Sequence, residues 1–339
     1  MNALTKQKEE LQKIAATLAE SGKGILAADE PLEYMKTVLN DIGLENSEEN
    51  RRRYREVLFT SDKSLGKYLS GVILHPETVY QKTKEGILFV RLLKEKGILP
   101  GVNVDKGLVP LYGTNNETTT QGLDNLARRC EEFKNSGCWF AKWRCALKIG
   151  SNTPSSLAVS ENATVLARYA SICQANGLVP IVEPEVQLEG DHDLQRAEEV
   201  TEIVLTAVYK ALKDYNVFIE GTLLKPSMVL PGRSCSIKYQ PENIARATVN
   251  ALLRSVPAAV PGIGFLSGGQ TADEATENLL CINSYAGKKP WALTFIFGRA
   301  LQSFVPNIWK GKEENITSAQ SELIKRAKAN SNASLGCKD

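Results

Sequence analysis

Eight short apolar runs, each followed by a polar stretch of helical period, predict a single α/β domain closed into a (β/α)8, or TIM, barrel. Two further observations agree. The 339-residue length suits one barrel of roughly 250 residues with insertions better than two domains. No G-x-G-x-x-G follows the first run, which argues against the rival doubly wound sheet.

The predicted strands are Gly24–Asp29, Gly71–His75, Leu99–Asp105, Trp139–Leu147, Val179–Glu185, Thr222–Met228, Ile263–Gly268 and Trp291–Gly298. Each is short and rich in Val, Ile, Leu or Phe, as strands covered on both faces must be. Segments such as Glu161–Gly177 and Leu194–Tyr215 between them are long enough for crossover helices. The domain is expected to span 1–339, opening on an amphipathic helix over 4–21 and closing on a helix over 314–330. No internal repeat, low-complexity segment or Pro/Ser-rich linker interrupts it.

The net charge of +2 removes the global electrostatic case for nucleic-acid binding. Arg51-Arg52-Arg53 is too short and too closely flanked by acids to change that, and a solvated helix face is expected there. No apolar run reaches the roughly 18–20 residues of a membrane span. The N-terminus lacks the apolar core of a signal peptide. Seven scattered cysteines without C-x-x-C spacing point to reduced thiols and a cytosolic setting. Two distant histidines, His75 and His192, make a histidine-based metal site improbable.

The ends of barrel strands carry the chemistry. Here the runs close with, or contain, Asp29, Asp105, Lys142 and Arg144, Glu183 and Glu185, and Lys225. Residues two apart in a strand share a face, so Lys142 and Arg144 point together, as do Glu183 and Glu185. One such pair is as readily a structural ion pair as a functional one. Five strands bringing charge to one end favour function, because each buried charge is costly without a purpose or a partner.

Lys225, in GTLLKPSMV, is the most telling. A lysine amine attacks a carbonyl only after losing its proton, which burial and neighbouring cations make easier; Lys142 and Arg144 are the cations expected nearby. The iminium so formed is an electron sink for breaking the adjacent carbon–carbon bond, with carboxylates moving the protons. A lysine reaching past a strand end to water is the plainer alternative. Ser267-Gly268-Gly269 after the seventh run, and Gly298-Arg299 ending the eighth, offer backbone N–H groups and a guanidinium for an anion. Those are the loops where this fold habitually holds phosphate.

GKGILAADE (22–30), ENRRRYR (49–55), TTTQGLD (118–124), FAKWR (140–144), LARYASIC (166–173), VPIVEPEV (179–186), EGTLLKP (220–226), FLSGGQ (265–270) and PWALTF (290–295) resemble the class I fructose-bisphosphate aldolases over nearly the whole chain. The resemblance implies reversible cleavage of fructose 1,6-bisphosphate, a phosphorylated ketose, to dihydroxyacetone phosphate and glyceraldehyde 3-phosphate, with no cofactor or metal. It implies Lys225 as the Schiff-base lysine, Glu183 as principal acid/base and Asp29 as the carboxylate at the C4 hydroxyl. Lys142 then assists carbinolamine chemistry, and Arg144 is a substrate-side arginine. Ser267, Gly268, Gly269, Gly298 and Arg299 would hold the C1 phosphate. A homotetramer and association with actin are further implications.

Departures from the family pattern surround the distal phosphate. Pro31, Tyr34, Thr37 and Val38 stand where the family carries two serines and a Lys-Arg pair; Asn103 replaces a lysine, and Ile296 a serine. Lys36 is the one nearby substitute. The family also ends on a tail tyrosine that aids proton transfer. The last tyrosine here is Tyr285, and without a tail residue enamine protonation is expected to be slow. Two readings result: an aldolase that cleaves ketose 1-phosphates with weakened preference for the bisphosphate, or a degenerate paralogue kept as a scaffold. A zinc-dependent aldolase is a distant third, dismissed if activity survives a chelator.

Overall fold

A computed structural model describes residues 3–338. Ten strands run in chain order: β1 (Gly24–Ala28), β2 (Leu69–Leu74), β3 (Leu99–Asn103), β4 (Leu108–Pro110), β5 (Thr118–Thr120), β6 (Phe140–Leu147), β7 (Val179–Val186), β8 (Leu223–Leu224), β9 (Gly262–Phe265) and β10 (Ala292–Phe297). Eight close into a parallel barrel in the order β1-β10-β9-β8-β7-β6-β3-β2. All eight predicted runs lie in it, and the crossover helices Ser156–Ala175 and Leu194–Asp214 fall where periodicity placed them. The antiparallel hairpin β4–β5 was not foreseen, because three-residue strands leave too few positions for a period to show.

Register follows from residue type. Along β6, Phe140 faces the barrel interior, while Trp143 packs outward in the shell of strands and helices against Tyr169. Phe140 fills the interior only because its neighbours lack side chains: a Cβ on Gly101 would lie 2.3 Å from its ring and one on Gly71 3.1 Å away. The first helix, Ala3–Leu18, applies Leu11, Ile14, Ala15 and Leu18 to the same interior cluster as Ile25, Ile73, Ile181 and Leu223. Its contacts with the strands plug one end of the barrel, leaving the carboxyl ends free to hold a cavity.

β8 is far shorter than its predicted run. Pro226 has no N–H to donate to the ladder, so the strand ends early, although Lys225 N–H still donates to the Val182 carbonyl at 2.8 Å and the Pro226 carbonyl accepts from Leu266 N–H at 3.0 Å. The first helix ends at Leu18 rather than near 21, running into a turn with Gly22 at φ +76°. The last helix runs Ile316–Ser334 and stops where Gly336 takes φ +71°.

Arg51–Arg53 do not form a solvated face. On the Ser47-capped helix Glu48–Phe59 all three are half-buried. Arg51 pairs with Glu77 at 2.7 Å, Arg52 with Glu49 and Glu56, and Arg53 donates to the Gly311 carbonyl. The triplet ties this helix to distant chain. No helix among the described residues is long and apolar enough to cross a membrane.

Candidate active site

A cavity of about 610 Å3 opens at the carboxyl ends of the barrel strands. β1 leads Asp29 into it, β3 Asp105, β6 Lys142 and Arg144, β7 Glu183 and Glu185, and β8 Lys225. Ser267 and Gly268 follow β9, and Gly298 and Arg299 follow β10. Of the catalytic and phosphate-binding candidates the sequence singled out, only Gly269 is absent from its wall. At φ +84° it turns the chain against Leu188 and faces a neighbouring cavity.

Four charges form a continuous chain. Lys225 Nζ lies 3.1 Å from Glu183 Oε1; Glu183 Oε2 lies 3.0 Å from Lys142 Nζ; and Lys142 Nζ lies 3.1 Å from Asp29 Oδ2. All four are buried, Lys225 at 5% exposure and Glu183 at 3%. Two carboxylates alternating with two ammonium groups compensate one another, which is what allows them to be buried at all. The nearest charge to Lys225 is thus a carboxylate within proton-transfer distance, with the expected cations beyond it. Lys142 lies one position further along, and Arg144 is engaged elsewhere, its Nε on Glu185.

Burial pushes the Asp29 and Glu183 carboxyls up, but Lys142 and Lys225 beside them outweigh it and hold both below the usual range. Burial pulls Lys142 down; Asp29, Glu183 and Asp105 outweigh it, and the ammonium is held charged. Asp105 and Glu30 behave oppositely. Burial raises both, against Lys142 for the first and Arg55 for the second.

Glu30 is the residue the sequence reading missed. It lines the cavity beside Asp29, accepts from the buried Arg55 at 2.6 Å, and takes a further donor from Gln302. Its only sequence signal is an acid directly after a strand-end acid.

Among the described residues lining the cavity, Arg299 is the basic side chain without an ion pair. Its Nη2 is 3.3 Å from where a Cβ on Gly268 would lie, so guanidinium and glycine turn share one patch with buried Ser267. Pro31, Tyr34, Asn103, Leu108 and Ile296 add uncharged side chains to the wall, with Tyr34 beside Arg299 in an adjoining cavity that both line, and exposed Lys36 does not reach the wall. Asn103 Oδ1 is already occupied, accepting from Asp105 N–H at 3.1 Å.

The family model for fructose-bisphosphate aldolase class-I matches residues 10–338. The chain is similar to the fructose-bisphosphate aldolase of Echinococcus multilocularis, 61% identical over 97% of this chain and 90% of that protein. It is also similar to fructose-bisphosphate aldolase C of Mus musculus, 59% identical over 97% and 91%. A solved structure of fructose-bisphosphate aldolase from Plasmodium falciparum, in complex with TRAP and a small-molecule inhibitor, superposes with TM-score 0.97 at 48% identity, covering 100% of this chain and 97% of that one. A closed barrel whose buried lysine–carboxylate chain lies in the segments the family shares is consistent with these matches, and the chain belongs to the class I fructose-bisphosphate aldolases, a family of carbon–carbon lyases.

Proposed function

We propose that this chain cleaves and forms ketose phosphates through an iminium on Lys225, and that one observation carries the reading: the buried Asp29–Lys142–Glu183–Lys225 chain. Glu183, 3.1 Å away, takes a proton from the Lys225 ammonium; the free amine adds to the C2 carbonyl of fructose 1,6-bisphosphate or fructose 1-phosphate, and an N–H proton of the adduct passes to the C2 oxygen. Glu183 then delivers its proton to the C2 hydroxyl, which leaves as water and gives the iminium. Lys142 stabilises charge on Glu183 meanwhile.

Asp29 accepts the C4 hydroxyl proton. The C3–C4 bond breaks, its electron pair enters the C2–C3 enamine, and the aldehyde departs. Protonation at C3 and hydrolysis then release dihydroxyacetone phosphate and the free lysine. Ser267, the Gly268 turn, Gly298 and Arg299 hold the C1 phosphate, with Gly269 shaping that turn from behind. Arg144, held by Glu185, borders the substrate without taking part in proton transfer.

Solvent deuterium should enter C3 of dihydroxyacetone phosphate without any aldehyde, in the presence of a chelator, and exchange should vanish in Lys225→Met. No exchange by the unaltered protein would refute the reading. The uncharged lip around Asn103 supports a second element, a weak preference for the bisphosphate. Fructose 1,6-bisphosphate should exceed fructose 1-phosphate in kcat/KM by less than about tenfold, since a charge-assisted contact worth about 1.5–3 kcal/mol is missing. A hundredfold advantage would contradict it. A cytosolic homotetramer that associates with actin completes the proposal, to be checked by light scattering and actin co-sedimentation.

A further inference from the structure

Glu183 and Lys225 stand opposite one another across the β7–β8 seam, because the register that pairs Val182 with Leu224 continues by one residue. A parallel ladder ties a residue placed like Lys225 to the neighbouring strand twice, through its N–H and through its carbonyl. Here only the first tie exists. Lys225 N–H donates to the Val182 carbonyl at 2.8 Å. The residue due to return a bond to the Lys225 carbonyl is Pro184, which has no N–H. Pro226 follows on the other strand, and its carbonyl turns away to β9, accepting from Leu266 N–H at 3.0 Å. Each strand thus carries a proline directly after its member of the acid–lysine pair.

The next hydrogen bond across the seam comes from a side chain. Ser227, buried at 7% exposure, donates its hydroxyl to the Val186 carbonyl at 2.9 Å. Val186 is the last residue of β7, so this bond closes the seam just beyond the point where both backbones lose a donor. Further on, Val229 N–H is held by Thr248 Oγ1 at 3.0 Å, which fastens the chain to helix Pro241–Ser255 and not to β7. The backbone hold on the Lys225 end of the seam is therefore a single bond, and Ser227 supplies the second. Lys225 Nζ and Glu183 Oε1 lie 3.1 Å apart. A displacement on the order of 1 Å is enough to slow proton transfer between such a pair severely.

We propose, resting on the Schiff-base reading of Lys225, that Ser227 is a positioning residue for the reaction. Its hydroxyl keeps the end of β8 in register with β7 and so sets the distance between Lys225 and Glu183. Ser227 does not line the cavity, so it acts only through that pair. Glu183 takes the ammonium proton and the freed amine attacks the carbonyl; a loosened seam slows this exchange and the iminium forms more slowly. The phosphate-holding groups Ser267, Gly268 and Arg299 follow other strands, β9 and β10. Loss of the Ser227 bond therefore lowers kcat and spares KM.

The test compares Ser227→Ala, Pro184→Ala and the double variant with the parent, at a temperature where circular dichroism shows each folded. Ser227→Ala should lower kcat for fructose 1,6-bisphosphate cleavage about tenfold, with KM within about threefold. Borohydride trapping of dihydroxyacetone phosphate should slow by the same factor. Pro184→Ala places an N–H opposite the Lys225 carbonyl, and by itself should leave kcat within about twofold. Added to Ser227→Ala, it should restore kcat to within about threefold of the parent, because a backbone bond replaces the side-chain one. A serine that only stabilises the fold would lower the urea midpoint and leave kcat and trapping unchanged, and that result overturns the proposal. So does a loss confined to KM, or a double variant no faster than Ser227→Ala. If Ser227→Ala alone does not fold, the double variant decides: folded and within about threefold of the parent it upholds the proposal, and otherwise it overturns it. Where the parent traps the ketose phosphate on Lys225, failure strikes only the role of Ser227; where the parent gives no adduct, the lysine reading and this one fall together.

Discussion

Two sets of residues in the wall of the candidate active-site cavity are built on opposite principles. Where β6, β7 and β8 end, each charged side chain has an opposite charge within about hydrogen-bonding distance, as in the Asp29–Lys142–Glu183–Lys225 chain. Elsewhere in the wall, at Pro31, Tyr34, Asn103, Leu108 and Ile296, the side chains are uncharged. The first group is mutually dependent: removing one member strands its neighbours in a buried site, so it resists change. In the second group no ion pair links one residue to the next, and the contacts are single ones such as Asn103 Oδ1 accepting from Asp105 N–H. The chemistry is locked by coupled ion pairs, and the uncharged group carries none.

Four substitutions sharpen or break that contrast. Lys225→Met should have the largest effect, lowering kcat for fructose 1-phosphate cleavage about ten-thousandfold or more, since covalent catalysis is lost with the amine. A residual tenth of activity in a coupled assay would place the nucleophile elsewhere.

Lys142→Met should come next, through stability. It leaves two buried carboxylates short of a cation and should cost about 3–5 kcal/mol in urea unfolding at pH 7. The pH dependence should reverse as well. In the unaltered protein Asp29 and Glu183 titrate below their ordinary 3.8 and 4.5 when folded. Their contribution is therefore complete above about pH 4.5 and is lost as the pH falls through the depressed folded values. Without Lys142, Asp29 loses its paired cation and burial raises its carboxyl while Glu183 keeps Lys225, so protonation at Asp29 favours the folded state and stability should rise from pH 7 to pH 5. A variant as stable as the parent at pH 7 would show that the chain is not coupled.

Arg299→Ala should raise KM for fructose 1-phosphate and fructose 1,6-bisphosphate alike, by about 10- to 100-fold, as the loss of one charge-assisted anion contact allows. A loss confined to the bisphosphate would move the guanidinium to the distal end. The smallest change is a gain: Asn103→Lys should raise kcat/KM for the bisphosphate alone by about tenfold, by supplying the missing counter-ion. Equal gains for both substrates would break the division into a charged and an uncharged side.

The charged side was largely legible in the sequence. A lysine inside GTLLKPSMV and acids alternating in VEPE violate the apolar pattern of a strand covered on both faces, and such violations mark a site. The eight runs were legible for the same reason, as was the glycine turn at Ser267–Gly268. What escaped depended on contacts between distant segments. The Arg55–Glu30 pair joins the interior of a helix to the loop after β1 with no local signal, and Arg51–Arg53 read as surface because Glu77 and Gly311 lie far along the chain. The space Gly71 and Gly101 leave for Phe140 is likewise invisible until the strands are side by side. Lys142 and Arg144 share the cavity with Lys225 as expected, but strand order alone does not say that the Glu183 carboxylate lies between Lys225 and Lys142.

The most direct test of the central claim is to reduce the protein with borohydride in the presence of dihydroxyacetone phosphate and map the modified peptide by mass spectrometry. A single adduct on the peptide containing Lys225, with loss of activity in proportion, is the result the coupled charge chain requires. Modification spread over surface lysines, or none at all while activity persists, would contradict it.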